Sequence, residues 1–418
     1  MIVYKFGGST ANNAAGIIKL GEIVQSTREN LVIVVSAFGK TTNSLEKVVE
    51  HYFNQSEDWY KVLDQLKFFH FEIIKELFPE NNHTIYSEVQ GLFNEISVRL
   101  GEKPGDNFDY EYDQIVLYGE LWATKIVNAY LVSAGLPSNW IDIRYCLITD
   151  DRYRDANVDW HVSERLIKEV FCFKDNSIYL TQGFIGGTER SLSTTLGREG
   201  SDYTAAIIGN ILNAEKVIIW KDVPGVLNCD PKYFSNAERL EEISYQEAIE
   251  LAFFGAKVIH PKTIKPLFNK KIPLWVKSAF EPENSGTLIH SVDRDLEMIP
   301  VYVKKTNQML ISILPRDYSF IIGENLGKIF GKFNAYHIKV NLIQNSAISI
   351  SVCIDNYNPR ITLLLEDLGK DFRVLYNENV ELITIRHYTA ETIRKMTEGK
   401  EILIEQKSRH SVRYVIKR

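Results

Sequence analysis

The apolar positions of this chain fall first into short runs that do not alternate. Ile2-Val3-Tyr4 and Leu31-Val32-Ile33-Val34-Val35 are apolar at every position, the pattern of strands covered on both faces. Each leads through a polar loop into helical periodicity. The repeated order of strand, loop and helix predicts a parallel α/β sheet. The first of these helices is expected from Ala11 onward. In the second, Asn43 reads as an N-cap with Glu46 as its capping-box partner. From about Ser44 to Arg99 the pattern is helical and amphipathic, and Phe68, Phe71, Ile74 and Leu77 form a stripe read as core. Gly101 to Asp106 interrupts it, and a further helix is expected from Gly119 to Ala134.

Strands are predicted at Ser177–Thr181, Val217–Trp220 and Ile272–Val276. Ser244 with Glu247 reads as a capping box, and Gly255 closes that helix. The pattern changes after about Met298. Met309–Leu314, a helix marked by Leu326, Ile329, Phe330 and Phe333, then Ile338–Leu342 and Ala347–Cys353 give a β-α-β-β order. Strand-like runs at Val380–Ile385, Glu401–Glu405 and Val412–Ile416 follow, with room for only short helices. The chain thus divides into an α/β domain over 1–297, an α+β module over 298–370 and a smaller region over 371–418.

Composition narrows the partners. The 418 residues, 45% hydrophobic and 24% charged, suffice for two or three cored domains. A net charge of −6 argues against bulk nucleic-acid binding, and any phosphate site must gather its own cations. Four cysteines without a CxxC pair imply neither disulfide framework nor zinc site, which fits a reducing cytoplasm. The first strand begins at residue 2, so no signal peptide is expected, and no apolar run is long enough to span a bilayer.

Four runs carry candidate chemistry. Lys5-Phe6-Gly7-Gly8-Ser9-Thr10 joins the first strand to the first helix. Its glycines let backbone N–H groups crowd an anion beside a lysine; the alternative is a plain tight turn. Thr194-Thr195-Leu196-Gly197-Arg198-Glu199-Gly200-Ser201-Asp202 offers Arg198 as a planar fork for a carboxylate or phosphate. Asp202 precedes a helix of small residues, where a simple N-cap is the alternative. Lys221-Asp222-Val223-Pro224-Gly225, with Asp230-Pro231-Lys232 beyond, sits at a strand end where open α/β sheets bind ligands. Gly255-Ala256-Lys257-Val258-Ile259-His260-Pro261 offers Lys257, while His260 reads as a structural hydrogen-bonder. Gly39-Lys40-Thr41 mimics the end of a P-loop, but Val34 stands where its first glycine belongs.

Taken in order, KFGGST, VSAFGKTTN, LYGE ending at Glu120, GFIGG, STTLGREGSDYTAA, WKDVPGV, GAKVIHP and Asn284-Ser285-Gly286-Thr287 resemble the amino-acid kinase family, and within it the aspartate kinases. The resemblance covers roughly residues 2 to 290 and continues into a segment similar to ACT regulatory modules. It implies a carbamate-kinase-like parallel α/β domain followed by ferredoxin-like α+β ACT modules. It also implies transfer of the ATP γ-phosphoryl group to the β-carboxylate of L-aspartate, opening lysine, threonine and methionine biosynthesis. A carboxylate acceptor needs no general base, only alignment and charge neutralisation.

By that resemblance Lys5, Gly7, Gly8 and Asp202 are catalytic. Ser36, Thr42, Glu120, Arg198 and Ser201 contact aspartate, Arg198 at its α-carboxylate and Glu120 at its α-ammonium. Lys5, Gly8, Ser9, Lys221, Asp222, Lys232 and Lys257 contact the nucleotide. Mg2+ bridges the phosphates, held mainly by ATP and water. Residues 186–195 are a candidate lid. The ACT-like region implies a homodimer; its second module is reduced, so feedback inhibition by lysine or threonine stands against the alternative of a tail that only dimerises. Leu227, Lys221 and Lys232 depart from residues common in relatives, all on the nucleotide side. The competing expectations are a kinase for glutamate or acetylglutamate and a non-catalytic amino-acid sensor.

Overall fold

The computed structural model describes residues 1–418 except 175–176, 257–258, 293–295, 297, 318 and 418. It separates into two compact units. One comprises Met1–Val226, Arg239–Ile249 and Val258–Asp295, the other Leu227–Glu238, Glu250–Lys257 and Leu296–Arg418. The linear division at 297 and 370 thus meets an interleaved chain. Two short segments of the first half fold with the second because they bond to it: Tyr302 N–H donates to Asn228 O at 2.7 Å, and Arg386 pairs with Glu250 at 3.1 Å.

The first unit is built on β1 (Ile2–Phe6), α1 (Ala14–Gln25), β2 (Leu31–Val35), α2 (Thr41–Phe53), α3 (Trp59–Leu77), α4 (Ile85–Leu100), α5 (Phe108–Ser133), β3 (Ser138–Ile141), α6 (Trp160–Val170) and β4 (Ile178–Gln182). A hairpin of β5 (Ile185–Gly187) and β6 (Ser193–Thr195) follows. The chain then runs through α7 (Gly200–Ile211), β7 (Lys216–Lys221), β8 (Glu242–Ser244), α8 (Tyr245–Phe254), α9 (Pro261–Lys270), β9 (Leu274–Ser278) and β10 (Thr287–His290). The main sheet has the order β3-β4-β2-β1-β7-β9-β10-β8, parallel except for the β9–β10 pair. As the unbroken apolar runs require, β1 and β2 are buried at every position.

Several local expectations change. Helix α1 begins at Ala14, not Ala11, capped by Asn13, whose side chain accepts Gly16 N–H. There is no Asn43–Glu46 capping box: the turn through Gly39 (φ +52°) starts α2 at Thr41, and Glu46 instead accepts the Tyr112 hydroxyl at 2.9 Å. Helix α5 starts at Phe108, well before Gly119, because burial on nearly every side erases its amphipathic period. Phe68 is 68% exposed; the buried face of α3 is Leu63, Leu66, His70, Ile73 and Ile74. The Ser244 cap is present, accepting Glu247 N–H at 3.0 Å, and Gly255 closes α8 with φ +110°.

His70 is fully buried among Phe38, Phe69, Phe93 and Trp122. Its Nδ1 donates to Leu66 O at 2.7 Å, while among the described residues Nε2 has no partner. Burial lowers its pKa from 6.5 to about 4. The unfolded chain therefore binds a proton between these values that the native chain refuses, and stability is lost as pH falls through that window. The shift corresponds to about 3 kcal/mol. His70→Leu is expected to gain stability relative to the parent by about that amount between pH 7 and pH 4, read as the difference of two urea titrations. An unchanged difference would contradict it.

The second unit holds β11 (Val301–Pro315), α10 (Gly323–Ala335), β12 (Val340–Asn345), β13 (Ile350–Asp355), α11 (Ile361–Asp371), β14 (Phe372–Arg386), α12 (Ala390–Thr397), β15 (Glu401–Lys407) and β16 (Ser411–Lys417). They form one sheet of order β12-β13-β11-β14-β16-β15. Strands β11 and β14 each serve two modules, with a register shift between Lys305 and Gln308. Ile329, Phe333, Leu364 and Leu368 of α10 and α11 pack on Met309, Ile311 and Ile313. In the second module α12 packs Met396 on Ile383, Ile385 and Tyr414, and begins with a Thr389–Thr392 capping box.

Candidate active site

The parallel register brings several strand ends to one edge. Phe6 lies beside Val35 on one flank and Trp220 on the other, and Val35 lies beside Gln182. The chain steps outward from β1 to β2 and later β4, then crosses back to β7 on the other flank of β1, which makes the β1–β7 border the switch point where open sheets form a crevice. The turns beyond these strand ends carry Gly7-Gly8, Ser36, Gly183 and Asp222.

A buried ion cluster lies here. Lys5 Nζ stands 2.6 Å from Asp202 Oδ1, and Lys221 Nζ stands 3.7 Å from Asp202 Oδ2. The Lys5 and Asp202 side chains are 10% and 4% exposed. Burial alone would raise the Asp202 pKa; the charges of Lys5 and Lys221 outweigh it and hold the carboxyl below its usual range. Two ammonium groups on one carboxylate leave local positive charge in a chain of net −6. Asp202 is not the N-cap: α7 starts at Gly200 after Glu199 (φ +55°), and Asp202 lies inside the first turn. Gly183 permits this seating, since a Cβ there would stand 2.4 Å from Ser201 Cβ.

Gly8 is forced by its neighbour. A Cβ at Gly8 would stand 2.2 Å from Ala37 O, and Gly8 O accepts Gly39 N–H at 2.9 Å, so the loops after β1 and β2 interlock. Gly8→Ala must push them apart. A displacement of about 1 Å at a reacting centre costs on the order of 10²-fold. Turnover measured by ADP release is expected to fall by that factor, and activity within a few-fold of the parent would refute the interlock. Gly7 differs from the expectation: its N–H is directed to Trp220 O at 3.4 Å. Thr10 closes the turn by donating both N–H and hydroxyl to Gly7 O. The helix N-terminus lies farther on, at Ala14, so its dipole does not start at the glycines.

Glu120 on α5 is 3% exposed and accepts a hydrogen bond from Ala37 N–H. Its Oε2 has no partner among the described residues. Burial raises its pKa to about 8 against the pull of the Ala37 N–H and Lys5. This is a buried, under-bonded carboxyl beside the crevice loop.

The remaining predicted residues are placed as follows. Ser36 and Thr42 are half-buried, Ser201 is buried, and Ser9 is exposed. Arg198 is exposed directly after Gly197, whose φ is +76°. Lys221 is half-buried and Asp222 exposed at the end of β7. Lys232 is exposed on Leu227–Glu238, a segment of the second unit. Lys257 lies outside the described residues. His260 caps α9, its Nδ1 accepting Lys262 N–H at 3.2 Å. The candidate lid is a hairpin whose strands are buried, with only Glu189 to Ser191 exposed at its tip. Sequence reasoning passed over Asp113 and Gln114, which grip that hairpin from α5. Their one signal was position: Asp113 stands two helical turns before Glu120 on the same face.

Residues 1–278 match the model of the amino acid kinase family. Over 385 residues the chain is 31% identical to the lysine-sensitive aspartokinase 3 of Escherichia coli, covering 91% of this chain and 85% of that one. The structure of E. coli aspartokinase III with lysine and aspartate (T-state) superposes with a TM-score of 0.84 at 29% identity, over 99% of this chain and 95% of the other. The same enzyme with aspartate and ADP (R-state) gives 0.83 at 28% identity, over 100% and 96%. The chain belongs to the amino acid kinase family and, within it, to the aspartokinase branch.

Proposed function

We infer that this chain transfers the γ-phosphoryl group of ATP to the β-carboxylate of L-aspartate, yielding 4-phospho-L-aspartate, the first step toward lysine, threonine and methionine. The observation that carries the reading is the Lys5–Asp202–Lys221 cluster at the sheet's switch point, beside a buried, under-bonded Glu120. The E. coli relative supports it, having been solved with aspartate and ADP. The acceptor carboxylate is its own nucleophile, so the chain's task is to hold two anions together. Asp202 keeps two ammonium groups at the crevice, and Lys5 neutralises charge on the phosphoryl group in flight. The Gly8 N–H is its fixed backbone partner. Arg198 and Glu120 grip the α-carboxylate and α-ammonium, with Ser36, Thr42 and Ser201 around them. Lys221 and Asp222 serve the nucleotide.

Magnesium enters with ATP. Among the described residues no group of three or more His, Cys, Asp or Glu could cage an ion. Both Asp202 oxygens face lysines, so this carboxylate is an anchor rather than a ligand. The ion would be held by phosphate oxygens and water, and when bound it neutralises phosphate charge. Trapping the acyl phosphate with hydroxylamine tests the activity: aspartate should give ATP-dependent hydroxamate, and an equal yield from glutamate would sink the assignment.

The second unit serves assembly. Phe320 and Ile322 are 65% and 67% exposed before α10, and Leu363 is 52% exposed on α11. We assign these exposed apolar side chains to a homodimer through the ACT-like module; a monomeric mass by light scattering at working concentration would overturn it. Activity titrated with lysine, threonine and methionine reads any effector, and a flat response would leave the module with assembly alone. Among the described residues no helix is long and apolar enough to cross a membrane. ATP and aspartate as substrates agree with a cytoplasmic site of action.

A further inference from the structure

Strand β6 is supported from two sides. On one side its backbone pairs with β5, Ser193 opposite Gly187 and Thr195 opposite Ile185. A two-stranded ribbon alone is marginal in water. On the other side, consecutive side chains of α5 do what a strand would do. The Gln114 carboxamide accepts Ser193 N–H at 3.2 Å and donates to Ser193 O at 2.7 Å. The Asp113 carboxylate accepts Thr195 N–H at 2.9 Å and the Thr195 hydroxyl at 2.7 Å. It also accepts Arg154 N–H, at 3.0 Å, from the loop after β3. Asp113 is fully buried, and all of these bonds link segments far apart in the chain.

The consequence appears two residues downstream. Ala156 N–H donates to Thr195 O at 3.0 Å. A Cβ at Gly197 would stand 2.7 Å from Asp155 Oδ1 and 3.2 Å from Arg154 O. The loop through 154–156 and the end of β6 therefore close around the left-handed Gly197, and Asp113 is bonded to both walls. Arg198 is the next residue. Seven residues beyond Asp113 on the same rigid helix stands Glu120, on the same face.

We propose that Asp113, seconded by Gln114, is the positioning residue for amino-acid recognition: it fixes the span between Glu120 and Arg198, so that a substrate must carry α-ammonium and α-carboxylate together. The proposal rests on the aspartate kinase reading. The helix acts as a ruler between two binding groups, and a supporting shell of this kind sets geometry to fractions of an ångström. Asp113 touches no substrate in this scheme. It acts through Thr195 and Gly197.

The test compares full-length wild type, Asp113→Ala and Asp113→Asn with L-aspartate and with its α-amide. The α-amide keeps the ammonium and the β-carboxylate but lacks the charge that Arg198 reads. In Asp113→Ala the KM for aspartate is expected to rise about tenfold or more, with kcat and the KM for ATP within about threefold, the signature of lost uniform binding. The ratio of kcat/KM for aspartate over the α-amide is expected to fall about tenfold or more. Asp113→Asn keeps the shape: its oxygen accepts both N–H groups while the Thr195 hydroxyl turns to accept from the amide. It should restore the ratio to within about threefold of wild type. A purely structural role would lower both substrates in parallel, so an unchanged ratio in Asp113→Ala overturns the proposal, as does equal loss in Asp113→Asn. If Asp113→Ala does not fold, Thr195→Val removes only the hydroxyl partner; the ratio should then fall about threefold, and no change overturns the proposal. Wild type without aspartate hydroxamate would sink the substrate reading and this inference with it; an unchanged ratio sinks only this one.

Discussion

Lys5→Ala is expected to lower kcat by about 10²–10³-fold or more, the loss typical of one donor aimed at developing charge. The KM for aspartate should change far less, because in the proposed binding mode Glu120 and Arg198 hold the ends of that molecule which do not react. The same substitution has a second effect. Lys5 is the close partner of Asp202 at 2.6 Å, and Lys221 at 3.7 Å is the distant one. Removing Lys5 strands a carboxylate that is 4% exposed. Breaking such a buried pair costs about 3–5 kcal/mol. Lys5→Ala should therefore be less stable to urea as well as inactive. Adding Asp202→Asn removes the stranded charge and should recover most of the stability but none of the turnover. Recovery of both would mean that Lys5 only holds the fold. Retained turnover in the single variant would remove it from the chemistry.

The second large effect is on pH. Glu120 in the free protein has its pKa raised to about 8, chiefly by burial. In the proposed binding mode the α-ammonium of aspartate meets Glu120 and needs its carboxylate form. Below pH 8 each bound aspartate must therefore expel a proton from Glu120, and kcat/KM for aspartate should rise about tenfold per pH unit up to that value. Calorimetry at pH 7 in buffers of different ionisation enthalpy should report release of close to one proton. Glu120→Gln should bind aspartate weakly with a flat profile. A flat profile in the wild type would show that Glu120 does not meet the ammonium. The linkage with stability has the opposite sign. A carboxyl whose folded pKa is raised stabilises the free protein below its unfolded value of 4.5 relative to high pH. That stability is lost as pH rises through about 8. Saturating aspartate, binding the ionised form, should offset part of the loss.

The legible part of this molecule was local. The glycines at 7 and 8, the run from Thr194 to Asp202 and the turn at Val223–Gly225 stand out because close backbone approach demands small residues at set spacings. Apolar runs marked β1, β2 and β7 because strands covered on both faces are apolar along most of their length, with Lys5, Lys216 and Lys221 only near their ends. The failures were local as well. Phe68 matched a helical stripe, but which face of α3 is buried depends on where α2, α4 and α5 lie. Asn43 matched a capping motif, but the turn at Gly39 started the helix earlier. The start of α5 was hidden because a helix buried all round has no polar face to count. The interleaving of the two units lay in pairings such as Arg386 with Glu250, which no window along the chain could register.

By itself, the sequence determined the parallel α/β class, the strands β1, β2, β4, β7 and β9, the glycine-rich runs at their ends and the family resemblance that named aspartate. These follow from periodicity and from turns whose chemistry is complete within a few residues. Only the tertiary structure decided that Lys5 and Lys221 share Asp202, that Glu120 is a buried carboxyl with one oxygen unpartnered among the described residues, and that Asp113 ties the loop before Arg198 to the helix bearing Glu120. Charge state and spacing belong to surroundings: burial, a facing ammonium, or a hydrogen bond from a distant strand. Those surroundings exist only once the sheet and its helices have closed around them.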